Sequence, residues 1–137
     1  MLNLRVLKLK PVLLIEDDAV DAMTVKRAVN ELKVKNELVH LTTCEEALEY
    51  LRGGNNRGAC VILLDLNMPG MDGIEFLKAL KADGVLKNIP VVVLAASQKE
   101  EDIVETFNLG VAGYIFKPVN CKKLDEFEPV KLYWTTG

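Results

Sequence analysis

No apolar run in this chain is long enough to cross a bilayer, and Met1 to Lys10 is broken by charge too often for the apolar centre of a signal peptide. Neither a membrane span nor a secretory leader is supported, so a cytoplasmic protein is expected. Cysteine is scarce: Cys44, Cys60 and Cys121 form an odd set without a CxxC pair. That supports neither a disulfide framework nor a zinc site, and all three are expected to be reduced and structural. Basic charge is also short. The 17 Lys and Arg stand against 20 Asp and Glu with no local cluster, which argues against direct nucleic-acid binding. Histidine occurs once, as His40 on an expected outer strand, and receives no catalytic role.

What is present is a chain of 137 residues, 50% hydrophobic, enough for one domain with a real core. Val12-Leu13-Leu14-Ile15 reads as a buried strand, and Ala22, Val25, Ala28, Val29 and Leu32 have helical spacing over 18–33. Leu38 to Thr42 predicts an outer strand, and Glu45 to Leu51 a helix stopping at Gly53-Gly54. The unbroken run Val61-Ile62-Leu63-Leu64 suits a strand buried on both faces, ending on Asp65, with Pro69-Gly70 marking a turn. Asp72 is placed to cap a helix over 73–82 that buries Ile74, Leu77 and Leu80. Pro90 opens the strand Val91-Val92-Val93-Leu94. The polar stretch Gln98 to Asp102 starts a fourth helix that turns Ile103, Val104 and Phe107 inward and ends at Gly110. Tyr114-Ile115-Phe116 is a fifth strand, and a last helix follows Asn120, short or kinked because Pro129 falls within it. Strands alternating with helices predict an α/β, doubly wound, five-stranded parallel sheet of order 2-1-3-4-5, flavodoxin-like. Residues 1–10 are an extension of unassigned role, and Tyr133-Trp134 an aromatic flap on the domain's own side.

Glu16-Asp17-Asp18 follows the first strand as Asp65 ends the third. In this order those strands are neighbours, and ligands bind beyond their carboxyl ends. Converging carboxylates repel unless a cation intervenes, and an all-oxygen set suits magnesium (Mg2+). Lys117, after the fifth strand and before Pro118, adds an ammonium on the same edge. Together they suit a transferred phosphoryl group: Asp65 as nucleophile, Mg2+ as charge neutraliser and Lys117 as oxygen clamp. Taken singly, each residue has a plainer reading: Asp18 as a helix cap, Asp65 as a turn acid, Lys117-Pro118 as a loop.

These motifs, Leu14 to Asp18, Leu64 to Gly73 and Gly113 to Pro118, resemble those of the response regulator receiver domains of two-component signalling, and the resemblance runs from about Val12 to Leu132. It implies a CheY-like single-domain regulator with Asp65 as phosphoacceptor. Glu16 and Asp17 match the family's acidic pair, the Asn67 main-chain oxygen its remaining Mg2+ ligand, and Lys117 its phosphate-contacting lysine. A cis bond to Pro118 and a switch role for Tyr114 are likewise implied. The segment Ile89 to Leu94, Ser97 and Tyr133-Trp134 resemble the single-domain regulators associated with phytochrome-type kinases. One position departs. Where the family has Thr or Ser at the end of the fourth strand, this chain has Ala95, followed by Ala96 and Ser97.

Two functions follow. One is a receiver taking a phosphoryl group from a histidine kinase or phosphotransfer protein and signalling through contacts with a downstream protein, with a homodimer left open. The other is a pseudo-receiver that docks independently of phosphorylation, because Ala95 donates no hydrogen bond. Neither is an enzyme in the ordinary sense. A haloacid-dehalogenase-type phosphatase needs a second acid where Asn67 stands, and a flavodoxin-type cofactor site needs a phosphate loop where Glu16-Asp17-Asp18 would repel one.

Overall fold

The computed structural model describes residues 10–53, 58–66, 68, 72–96 and 100–126. The N-terminal extension up to residue 9, the carbonyl of Asn67, Ser97, Pro129 and the Tyr133-Trp134 tail lie outside them.

The chain alternates β1 (Val12–Ile15), α1 (Ala19–Glu31), β2 (Leu38–Leu41), α2 (Cys44–Arg52), β3 (Val61–Asp65), α3 (Gly73–Ala82), a single 3-10 turn (Leu86–Asn88), β4 (Val91–Ala95), α4 (Glu100–Asn108), β5 (Gly113–Phe116) and α5 (Cys121–Glu126). All pairings are parallel, in the order β2-β1-β3-β4-β5. That is the sheet the alternation predicts. β1, β3 and β4 are buried throughout, whereas the edge strand β2 is half-buried. The unbroken aliphatic runs are the sequence form of that burial on both faces.

Side chains alternate across the sheet. Leu13, Ile15, Ile62, Leu64, Val91, Val93 and Ala95 join Cys44, Phe76, Leu77 and Leu80 in a core under α2 and α3. Val12, Leu14, Val61, Leu63, Val92, Leu94 and Ile115 face the other way, against α1 and Leu124 of α5. Burial pushes the thiols of Cys44 and Cys60 up to about 12 and about 11, so both are protonated, Cys44 within the core and Cys60 half-buried against it.

Capping fixes three helix starts at the sheet's carboxyl edge. Asp18 Oδ1 accepts the Asp21 N–H at 2.8 Å, Thr43 Oγ1 the Glu46 N–H at 3.0 Å and Asp72 Oδ1 the Glu75 N–H at 2.8 Å. Helix α3 enters so close to the segment after β3 that a Cβ on Gly73 would lie 2.8 Å from the Leu66 backbone, which only glycine permits. Beyond the strands, Leu66 N–H donates to Leu94 O at 3.2 Å and Lys117 N–H to Ala95 O at 2.9 Å, tying the end of β4 to both neighbours.

Helix α4 corrects the expected inward face. Val104 and Phe107 are each 49% exposed, Ile103 is half-buried, and the residue that is fully buried is Thr106. Thr106 Oγ1 donates to Ile103 O at 2.9 Å, and this internal bond lets a polar side chain sit inward while two larger apolar ones stay at the surface.

Candidate functional site

The same alternation that builds the core aims the chemistry. Leu14, Leu63 and Ile115 face the α1–α5 layer, so Glu16, Asp65 and Lys117, each two residues further on, fall on that side of the carboxyl edge. Glu16 has no exposed surface and Asp65 is 4% exposed. Lys117 Nζ lies between their carboxylates, 2.8 Å from Glu16 Oε1 and 3.4 Å from Asp65 Oδ1. Burial, and next the neighbouring Asp65 carboxyl, push Glu16 up to about 7, with Lys117 acting in the opposite sense. For Lys117, burial disfavours the charge, but Glu16 and Asp21 outweigh it and hold the ammonium above the ordinary lysine range.

Carboxylate oxygens of Glu16, Asp17 and Asp65 can all lie within 4.8 Å of one another. Glu16 Oε2 accepts the Asp18 N–H at 3.3 Å, whereas among the described residues Oε1 has the Lys117 ion pair but no aligned hydrogen bond. A buried, under-satisfied oxygen beside two further carboxylates fits a hard divalent cation, which takes oxygen ligands alone. Asp18 stands apart from this set as the cap of α1, its plainer reading.

The loop carrying Lys117 is held from behind. Lys123 Nζ donates to Phe116 O at 3.0 Å and to Pro118 O at 2.8 Å, the carbonyls on either side of Lys117. The Lys117–Pro118 bond is cis, as the resemblance implies. On the opposite face, Ala95 is fully buried in the apolar core, and Tyr114 packs partly against that core with its ring 5.3 Å from that of Phe116 at 64°. Burial and the Asp102 charge raise the Tyr114 phenol above its usual range.

Three residues that the motifs do not single out also belong here. Asp21 Oδ2 lies 2.9 Å from Lys117 Nζ. Lys123 clamps the loop. His40 Nε2 lies 2.8 Å from the Glu16 carbonyl, and since a carbonyl only accepts, Nε2 carries the proton. The edge-strand histidine, assigned no role from sequence, thus braces the acidic segment. The one signal in the sequence for Asp21 is its place one turn after the cap Asp18, at the same helix end as the acids.

The Response regulator receiver domain family model matches residues 12–127. Response regulator Rcp1 of Synechocystis sp. is 34% identical over 130 residues, 91% of this chain and 88% of Rcp1. The Mn2+-bound structure of Rcp1 superposes with a TM-score of 0.74 at 36% identity, covering 89% of each chain. The bacteriophytochrome response regulator AtBRR gives a TM-score of 0.81 at 32% identity over 95% of this chain and 97% of its own. The phosphorylated cyanobacterial phytochrome response regulator RcpA gives 0.75 at 39% identity, over 90% and 89%.

Proposed function

The chain belongs to the response regulator receiver domain family of two-component signalling, and from that premise we propose that it accepts a phosphoryl group on Asp65 from a histidine kinase or phosphotransfer protein. The observation that carries this reading is the Lys117 ammonium held 2.8 Å from Glu16 and 3.4 Å from Asp65 at the ends of β5, β1 and β3. An Asp65 oxygen attacks phosphorus, the bond from phosphorus to the donor's imidazole nitrogen breaks, and an acyl phosphate forms. Lys117 offers its protons to the phosphoryl oxygens, and the buried setting strengthens that contact. Glu16, Asp17 and Asp65 would hold Mg2+, together with the Asn67 main-chain oxygen that the resemblance implies, and the ion would supply charge neutralisation when bound. That Rcp1 has a Mn2+-bound form supports a divalent ion as the metal of this chain.

The output is a protein contact in the cytoplasm, with Tyr114 as the reporting aromatic. The similarity to the bacteriophytochrome response regulator AtBRR and the phytochrome response regulator RcpA supports a phytochrome-type kinase as the donor. Intact-mass analysis after incubation with acetyl phosphate and Mg2+ tests the acceptor. A labile gain of one phosphoryl group, absent without metal, is the expected result, and an unchanged mass would sink it.

One observation favours a second reading. Ala95 is fully buried among apolar side chains and supplies no hydroxyl. A pseudo-receiver would bind its partner equally well with and without a phosphoryl mimic, whereas a switching receiver shows different affinities.

A further inference from the structure

Asp21 has an ordinary explanation, since a carboxylate in the first turn of a helix is favoured by the helix dipole. Its contact is not ordinary. Across 96 residues of sequence, Oδ2 accepts from Lys117 Nζ at 2.9 Å. The ammonium has three protons, and its neighbours stand at 2.8 Å (Glu16), 2.9 Å (Asp21) and 3.4 Å (Asp65). The contact to Asp65, where new charge would arrive, is thus the longest. Asp21 is also the solvent-side partner, its side chain 43% exposed against 0% for Glu16 and 6% for Asp65.

The geometry points to Asp21 as a positioning residue that restrains Lys117 away from Asp65 in the unmodified protein and so sets the occupancy of the phosphoryl group downward. The inference rests on Asp65 being the acceptor. A phosphoryl group at Asp65 draws the ammonium inward, and the Asp21 contact is stretched as it moves. The Asp21 charge also repels the incoming anion. Both effects have one sign, so removing the charge favours the loaded form. The side chain is not needed for the α1 cap, because Asp18 accepts the backbone N–H of residue 21, and Asp21→Asn keeps its shape.

The test measures the affinity of beryllofluoride, a non-covalent phosphoryl mimic, in the presence of Mg2+. Asp21→Asn is expected to bind it roughly two- to fivefold more tightly than the unaltered protein, the scale of a part-exposed ion pair. In a Lys117→Ala background the same substitution should gain less. A metal-free readout accompanies it: acetylation of Lys117 by dilute acetic anhydride, followed by peptide mass mapping with Lys122 as internal reference. Asp21→Asn should quicken labelling of Lys117 and leave Lys122 unchanged. If the unaltered protein and Asp65→Asn are alike in failing to bind beryllofluoride, the acceptor reading falls and takes this one with it. If the unaltered protein binds but Asp21→Asn does not bind more tightly, only the restraint is overturned. Tighter binding without faster Lys117 labelling also overturns it, since charge repulsion alone would then account for the gain.

Discussion

The ends of β3 and β4 are paired side by side, Asp65 against Leu94, yet they are made of opposite materials. Around the end of β3 stand Glu16, Asp21 and Asp65, all within 3.4 Å of the Lys117 ammonium. At the end of β4 stands a fully buried alanine in an apolar core, with α4 beyond it presenting Val104 and Phe107 to the surface. The contrast teaches that, under the proposed function, the means of accepting a phosphoryl group and the means of reporting it would be carried by different residues. Either set can be altered while the other stays intact.

The strongest attack on this contrast is Asp65→Asn, which should abolish the phosphoryl mass gain altogether while leaving the fold intact by circular dichroism. A residual gain would place the acceptor elsewhere. Next comes pH. Glu16 is raised from 4.5 to about 7, so the folded state binds its proton more tightly than the unfolded chain does. The resulting stability is fully present below about pH 4.5 and is lost as pH rises through about 7, by up to about 3 kcal/mol. Urea midpoints of metal-free protein across that window should fall with rising pH. Glu16→Gln should flatten the slope, and added Mg2+ should oppose it by favouring the carboxylate.

Third, Ala95→Thr makes the two strand ends more alike. A hydrogen bond to a charged group contributes about 1.5–3 kcal/mol, so beryllofluoride should bind about ten- to a hundredfold more tightly. The extra atoms enter a packed core and cost about 1 kcal/mol or more in thermal stability. Unchanged beryllofluoride affinity would mean that the alanine is not what limits the response. The smallest expected effect is Phe107→Ala, which should lower stability by under about 1 kcal/mol because half of the ring is already in solvent. A loss above about 2 kcal/mol in a thermal melt would show that α4 packs more tightly than its exposure indicates.

Much of the molecule is legible in its residues. Aliphatic runs ending in acids give both the parallel strands and the edge on which Glu16, Asp65 and Lys117 meet, because burial on two faces and the start of a loop leave clear local signs. Helix α3 follows the expected bounds of 73–82, with Asp72 as its cap. The orientation of α4 is not legible in the same way. Val104 and Phe107 are the more apolar candidates for the interior, but the internal Thr106 to Ile103 bond permits a different rotation about the helix axis. Asp21, Lys123 and His40 escape for another reason. Each acts through one long-range or main-chain contact, and no periodicity records which carbonyl or ammonium the fold will bring within 3 Å.

The two hydrogen bonds at the tip of β4 have a mechanical meaning. Leu66, next to Asp65, grips Leu94 O, and Lys117 grips Ala95 O. Consecutive carbonyls of one strand are therefore sutured to the two segments that would move around a phosphoryl group. A tug on either segment loads the same short stretch of main chain. Such a tether is indifferent to side-chain identity, so replacing a hydroxyl by a methyl at residue 95 removes a signal written in side chains while leaving the backbone harness fastened.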